Sequence, residues 1–436
     1  MLEDLGWLRE HGHKLDRRLR HALVSFNRPP RNLPCVLYRP TLAAWQAVHR
    51  LPVIVELADG PGLTREWMRW AVRAGGRAGF RFPRLAGFSC VLPVSFFRTL
   101  VSHPAVRAVF LDAEVRACLD VASPALLADR VWAAGGDGRG VVLAVVDTGI
   151  YPHPDLTRPR NRILAFADFV GRRREPYDDN GHGTHCAGDA AGNGHLSGGR
   201  YRGPAWEAGL VGVKVLNKLG SGLTSTIMAG IQWCVEQRER LGIRIVSLSL
   251  GGEAVLSAAR DPLCRMVEQA WAAGIVVLAA AGNSGPGAGT VGTPGIDPKI
   301  ITVGAMDDRR TVPRPDDVVA PFSSRGPTAD GVTKPDLLAP GVRVISLRAP
   351  GSYLDKKLAA ARVGQHYFEL SGTSMATPLA AGVAAQMLCL EPTLSPDALK
   401  ERLLGTAQDR GYPPDVQGSG YLDAEAAAGG RAAATG

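Results

Sequence analysis

Five short apolar runs rich in β-branched residues, Val141–Val146, Leu210–Val215, Ile243–Leu248, Ile275–Ala279 and Ile300–Val303, alternate with helical stretches such as Ser225–Arg240 and Asp261–Ala273. Runs without polar alternation are buried on both faces. Strands joined through helices run parallel, because a parallel partner needs a crossover of a dozen or more residues. The pattern predicts an α/β fold in which a mostly parallel central sheet is covered by helices on both faces, three layers in all. In such sheets chemistry collects beyond the carboxyl ends of the strands. Asp147 directly follows the first run, and Asn283 follows the fourth.

These two residues belong to a set of four. In chain order, LAVVDTGI holds Asp147, DNGHGTHCAG holds His182, AAAGNSG holds Asn283 and SGTSMATP holds Ser374. A serine hydroxyl is a poor nucleophile at neutral pH; it needs a base within reach, and the base needs a carboxylate to fix its tautomer. An unpaired carboxylate at the end of an apolar strand would be costly to bury, and His182 as partner removes that objection for Asp147. Ser374 follows Gly372 and opens a helix of small residues, whose dipole favours developing negative charge. Asn283 offers an amide donor to an oxyanion, with the Ser374 N–H as the second donor. Read singly, Ser374 is a helix cap and Asn283 a turn residue. Together and in this order they point to acyl transfer. His182 and His185 raise the question of zinc, but the HExxH pattern is absent, and His185 reads as a structural histidine. Cys186 reads as a packed small hydrophobe, so close to His182 that mercurial labelling should slow the reaction.

The remainder of the chain sets bounds. Residues 1–120 carry 18 Lys and Arg against 10 Asp and Glu, and residues 121–436 carry 32 against 31. The basicity therefore belongs to the front segment, as a solvated face, and nucleic acid is not expected as a partner. Seven widely spaced cysteines without a CxxC pair indicate neither a disulfide framework nor a zinc site. The N-terminus lacks the apolar stretch of a signal peptide, and no apolar run of membrane-spanning length is evident. A cytoplasmic protein without membrane attachment is expected. Residues 1–50 read as a basic, helical extension. Residues 51–119 follow as a strand at Leu51–Leu57, a helix at Leu63–Ala74, a strand near Leu85–Leu92, a helix at Val94–Ser102 and a strand at Ala108–Ala117, read as a small ferredoxin-like α+β unit of βαββαβ order. A main domain is expected at 120–425, with a flexible Ala/Gly tail at 426–436.

The four motifs resemble those of the subtilisin family of serine peptidases, over roughly residues 121–425. The resemblance implies a subtilisin-like fold and a serine endopeptidase in which Asp147 orients His182, His182 is general acid and base, Ser374 is the nucleophile and Asn283 the oxyanion donor. No cofactor is required for that chemistry. It further implies that Ser249, Leu250, Gly251 and Gly252 pair with the substrate backbone, opposite Gly220, Ser221 and Gly222. Ala280, Ala281, Gly282 and Gly292 match the walls and floor of the first specificity pocket, so broad specificity with large apolar P1 side chains is expected. Residues 51–119 resemble the family's propeptide, an intramolecular chaperone and inhibitor cut by Ser374 between about Arg116 and Ser123. Asp155 matches a calcium aspartate of the family, although the loop Gly192–Pro204 is Gly/Arg-rich and lacks carboxylates. The FSSRGP and KPDLLAPGV segments and the front extension look most like the bacterial intracellular AprX-type branch. A monomer acting on protein or peptide substrates is expected. A silent peptide-binding module on the same scaffold is the competing reading, and it gives no reason for all four chemical residues to be kept.

Overall fold

The structure is a computed structural model that describes residues 6–26, 46, 48–58, 64–112, 114–117 and 124–429. The chain divides into two compact units, residues 1–114 with 223–225, and residues 115–222 with 226–436.

In the first unit, α1 (Gly6–Glu10) and α2 (Arg17–Phe26) precede β1 (Arg50–Leu57), α3 (Thr64–Arg73), β2 (Arg77–Phe82), β3 (Gly87–Pro93), α4 (Phe97–Ser102) and β4 (Val106–Leu111). The strands form one antiparallel sheet in the order β2-β3-β1-β4. Of the two strands that the βαββαβ order calls for between the helices, the sequence locates one, near Leu85–Leu92, and the structure has a hairpin there. Its first strand, RAGFRF, is a half-exposed edge strand without an apolar run to announce it. The boundary expected near residue 50 runs through a single core. Leu19 and Leu23, four apart on one face of α2, and Leu15 just ahead of it are buried with Val53, Val55, Phe88, Leu92, Phe97 and Val109. Asp16 caps α2 by accepting the Leu19 N–H at 3.1 Å. Residues 6–26 are thus part of this unit's fold. The strand predicted at Ala108–Ala117 is broken into β4 and a separate β5 (Glu114–Ala117).

The second unit is built on β6 (Val142–Asp147), β7 (Ile163–Asp168), β8 (Gly209–Lys214), β9 (Ser221–Leu223), β10 (Ile243–Leu248), β11 (Leu250–Gly251), β12 (Val276–Ala280), β13 (Ile301–Asp307), β14 (Val318–Val319) and β15 (Leu337–Pro340). The central sheet has the order β14-β13-β12-β10-β6-β8-β7, with β15 also on β13. Among the described residues its strand pairings are parallel except that of β13 with the edge strand β14. The sequence therefore identifies the mostly parallel sheet, but misses β7, which is largely half-exposed, and the four-residue β15. The main helices are α5 (His182–Ala191), α6 (Thr224–Leu241), α7 (Pro262–Ala272) and α8 (Thr373–Leu390).

Helix α8 is buried from Thr373 to Leu388. Its small residues allow close approach: a Cβ on Gly382 would stand 2.7 Å from the Ala190 carbonyl oxygen of α5. Contrary to the expectation from sequence, this helix does reach the length and hydropathy of a membrane span, yet 89% of it is buried inside the unit, which makes it a core helix. Residues 118–123, which hold most of the expected cleavage window, and the tail from 430 lie outside the described residues.

Candidate active site

Asp147 ends β6 and is fully buried. Its Oδ1 accepts the Thr148 N–H at 2.6 Å and lies 2.8 Å from Nδ1 of His182. Its Oδ2 has no hydrogen-bond partner. His182 is the first residue of α5, entered through Gly181 at φ 106°. The helix can come this close only because the next residue is glycine, since a Cβ on Gly183 would meet the Gly149 carbonyl oxygen at 2.2 Å.

Asp178, a residue the sequence reading does not single out, braces this junction. Its Oδ1 accepts the Thr148 hydroxyl and the N–H groups of Asn180 and Gly181, and its Oδ2 accepts the N–H and hydroxyl of Thr184. The Thr148 hydroxyl in turn accepts the Gly183 N–H at 2.9 Å. The strand end and the helix start are therefore sewn together around Asp147 and His182. An acidic residue four before the histidine in a Gly-rich turn was the available signal.

Ser374 is the second residue of α8 and is fully buried, and its hydroxyl donates to the Ser249 carbonyl at 3.0 Å. The Sγ of Cys186 lies 3.6 Å from the Ser374 carbonyl oxygen and 3.8 and 3.9 Å from the two ring nitrogens of His182. Cys186 thus touches both segments that carry the candidate base and nucleophile. Although Asp147, His182 and Cys186 cluster closely enough to suggest a metal, Nδ1 of His182 already lies 2.8 Å from Asp147 Oδ1, at hydrogen-bond distance. Burial, with Asp147 and Asp189 nearby, raises the Cys186 pKa well above the ordinary value, which keeps it a thiol. His185 is turned away, with Nδ1 3.0 Å from Asp189 and Nε2 3.0 Å from the Phe368 carbonyl oxygen, as expected of a structural histidine.

Asn283 follows Gly282, which sits at φ 108°. Its Oδ1 accepts the Thr373 N–H at 2.9 Å and the Thr373 hydroxyl at 3.1 Å, so its NH2 is the end left to donate. Among the expected substrate-binding residues, Gly252 and Thr293 exchange two backbone hydrogen bonds, and the Gly292 N–H donates to the Ala281 carbonyl. Ser249 to Gly252 thus lie beside the Gly292–Thr293 segment, near Ala280 to Gly282. Ser221 and Gly222 lie in β9, entered through Gly220 at φ 78°. Strand β5 lies between β11 and β9 in a three-stranded sheet. Within the second unit, Ala117 stands opposite Leu250 and Arg116 opposite Gly251, antiparallel.

Asp155 stands apart from this cluster, at the start of a short helix, Pro154–Thr157. Its two carboxylate oxygens accept the Leu196 N–H and the Tyr367 hydroxyl, a donor set that does not fit a calcium ion.

The family model of the subtilase peptidases matches residues 138–421. The chain is 47% identical to the serine protease AprX of Bacillus subtilis (strain 168) over 96% of its own length and 97% of that protein. It is 36% identical to subtilisin DY of Bacillus licheniformis, over 70% of this chain and 97% of that one. It is also 36% identical to subtilisin Savinase of Lederbergia lenta, over 67% and 92% of the two chains. Family model and relatives span the strands and helix starts that bring Asp147, His182, Asn283 and Ser374 into one unit, and this chain belongs to the subtilase family as a subtilisin-type serine endopeptidase.

Proposed function

We propose that the chain is a zymogen that cleaves itself and then hydrolyses peptide bonds through an acyl-enzyme formed on Ser374. Strand β5 carries this reading: Arg116 and Ala117 pair with Gly251 and Leu250, where a substrate backbone is expected to add as a strand. The chain's own segment thus stands in for a bound peptide, and residues 51–119 act as a ferredoxin-like inhibitor until the link within 116–123 is cut.

In the reaction, the Ser374 hydroxyl leaves the Ser249 carbonyl, gives its proton to Nε2 of His182 and attacks the scissile carbonyl. Such bonds are often loose before substrate arrives. The resulting imidazolium faces Asp147, whose Oδ2 makes no hydrogen bond, so its buried charge is available to stabilise the cation. The NH2 of Asn283 and the Ser374 N–H receive the oxyanion, and His182 returns the proton to the leaving amine. Water then repeats the sequence to release the acyl group. A large apolar P1 side chain enters between Ala280–Gly282 and Ser249–Gly252, above Gly292.

We also take the enzyme to be a cytoplasmic monomer. Its five described cysteines are free thiols, in keeping with a reducing compartment. Comparing wild type with Ser374→Ala tests the proposal. Wild type should appear by mass spectrometry as two pieces split within 116–123, turn over a chromogenic peptide and react with a fluorophosphonate, whereas the variant should remain one chain and do neither. Hydrolysis surviving the substitution would overturn it.

A further inference from the structure

Calcium takes six to eight oxygen ligands and draws on carboxylates whose lone pairs are open to it. Subtilases often bind structural calcium, and Asp155 is the residue matched to such a site. Its surroundings are those of a buried anion already satisfied by donors. Asp155 is fully buried; its Oδ1 accepts the Leu196 N–H at 3.0 Å and its Oδ2 accepts the Tyr367 hydroxyl at 2.7 Å. The loop that would supply carbonyl oxygens to a metal therefore points an N–H at the carboxylate.

The groups at the start of the loop are also occupied. The Gly194 carbonyl accepts the N–H groups of Ser197 and Gly199, and the Asn193 carbonyl accepts Nε of Arg202 at 3.3 Å. The Asn193 side chain donates to the Arg158 carbonyl and accepts the His195 N–H. His153 accepts the Asp155 N–H on Nδ1 at 3.1 Å. The loop Gly192–Pro204 contains no acid and two arginines, Arg200 and Arg202. The loop thus adds two cations and no carboxylate to Asp155, which weakens the field that gathers a divalent cation.

A cation is nevertheless present. Arg162, 3% exposed, donates from Nη1 to the carbonyl oxygens of Ala191 at 2.7 Å and Ala208 at 3.1 Å, and from Nη2 to the Asp155 carbonyl at 2.6 Å. Ala191 is the last residue of α5, so the guanidinium sits at the negative end of that helix. Burial lowers its pKa to about 10, which leaves it charged at neutral pH.

We propose that the Asp155 site takes no calcium, and that Arg162 is its built-in cation, joining Asp155, Ala191 and Ala208 through their carbonyl oxygens as a bound metal would. A metal can be chelated away and this one cannot, so the loop behind α5 keeps its place when calcium is withdrawn.

The test uses the full chain carrying Ser374→Ala, to prevent self-digestion, with and without Asp155→Asn. Terbium is titrated in and excited through tyrosine, since Tyr367 bonds Asp155 directly and Tyr201 packs against Tyr367 with ring centroids 4.6 Å apart. Thermal unfolding is then recorded in calcium and in EDTA. No terbium emission should depend on Asp155, and any effect of EDTA on Tm should be equal in both proteins, an equal effect marking a metal bound elsewhere. Saturable emission abolished by Asp155→Asn, or an EDTA-induced fall in Tm seen only with Asp155 intact, overturns the proposal. Arg162→Met should lower Tm by about 5 °C or more in calcium and EDTA alike, with Arg162→Lys in between. Should the Met variant not fold, the Lys variant alone decides, and a Tm equal to that of the parent overturns the cross-linking role.

Discussion

Thr373 holds the carboxamide oxygen of Asn283 from two sides, through its N–H at 2.9 Å and its hydroxyl at 3.1 Å. The same hydroxyl accepts the Gly282 N–H at 3.1 Å, which fixes the rotor. The residue just before Ser374, the proposed nucleophile, thus sets which end of the Asn283 amide is left to donate.

Thr373→Val removes the hydroxyl and retains the shape. It should lower kcat about tenfold with KM nearly unchanged, because the contact it orients is made in the transition state. Thr373→Ser should recover most of the loss. Asn283→Leu should cost about 10²–10³ in rate, a magnitude established for subtilisin and carried over from that relative. Steady-state kinetics on one chromogenic peptide checks all three, and a Val variant that changes KM alone would refute the orienting role.

A Cβ on Gly292 would lie 2.5 Å from the Gly252 carbonyl oxygen, which cannot move without disturbing its pairing with Thr293. Gly292→Ala should therefore reduce kcat/KM for Phe or Leu at P1 at least tenfold more than for Ala at P1. Profiling a P1 peptide series measures this. Equal losses across the series would mean that Gly292 does not floor the pocket.

Asp355 is ligated by Arg348 through two bonds, by Arg362 Nε at 2.7 Å and by the Gly351 N–H at 2.8 Å. Burial pushes its pKa up, but the bonds from Arg348, Gly351 and Arg362 outweigh burial and leave it at about 2. A carboxylate with a depressed folded pKa stabilises the fold above its unfolded value of about 3.9 and loses that contribution as pH falls toward 2. The adjoining Tyr353 and Leu354 N–H groups bond Asp179 and Asn180, just ahead of His182. Asp355→Asn should be less stable than wild type at pH 7, and the gap should close between about pH 4 and pH 2. Denaturant unfolding across that range is the measurement, and a gap independent of pH would exclude the ionic origin.

Cys186 is fully buried and its thiol is not ionised near neutral pH, so mercurials should reach it slowly, at the rate of local opening. Once labelled, the sulfur between the His182 ring and the Ser374 carbonyl should displace one of them and cut activity. Mass-resolved labelling followed against turnover tests this. Full activity at stoichiometric modification of Cys186 would rule it out.

The legibility of the chain follows burial. Strands buried on both faces, such as Val276–Ala280, need uninterrupted apolar residues and so are visible as runs. The half-exposed Ile163–Asp168 and the edge strand Arg77–Phe82 carry no such pattern, because solvent on one side relaxes the demand. Residues 6–26 read as polar because the short amphipathic helix Arg17–Phe26 shows only two leucines, Leu19 and Leu23, whose burial depends on a sheet that comes later in the chain. In the same way, the buried helix Thr373–Leu390 hid its span-like hydropathy among small residues.

By itself the sequence singled out Asp147, His182, Asn283 and Ser374 as candidates and placed them at strand and helix ends, since a glycine-rich turn beside an apolar run leaves few other conformations. It could not decide what each polar atom would meet. That Asp178 stitches the Asp147 and His182 segments, that Thr373 turns the Asn283 amide and that Arg162 gathers three carbonyls near Asp155 were decided by the tertiary structure. Each of these depends on groups from distant segments arriving within about 3 Å of one another, and hydrogen bonds, unlike apolar burial, vanish with a small error in distance or angle.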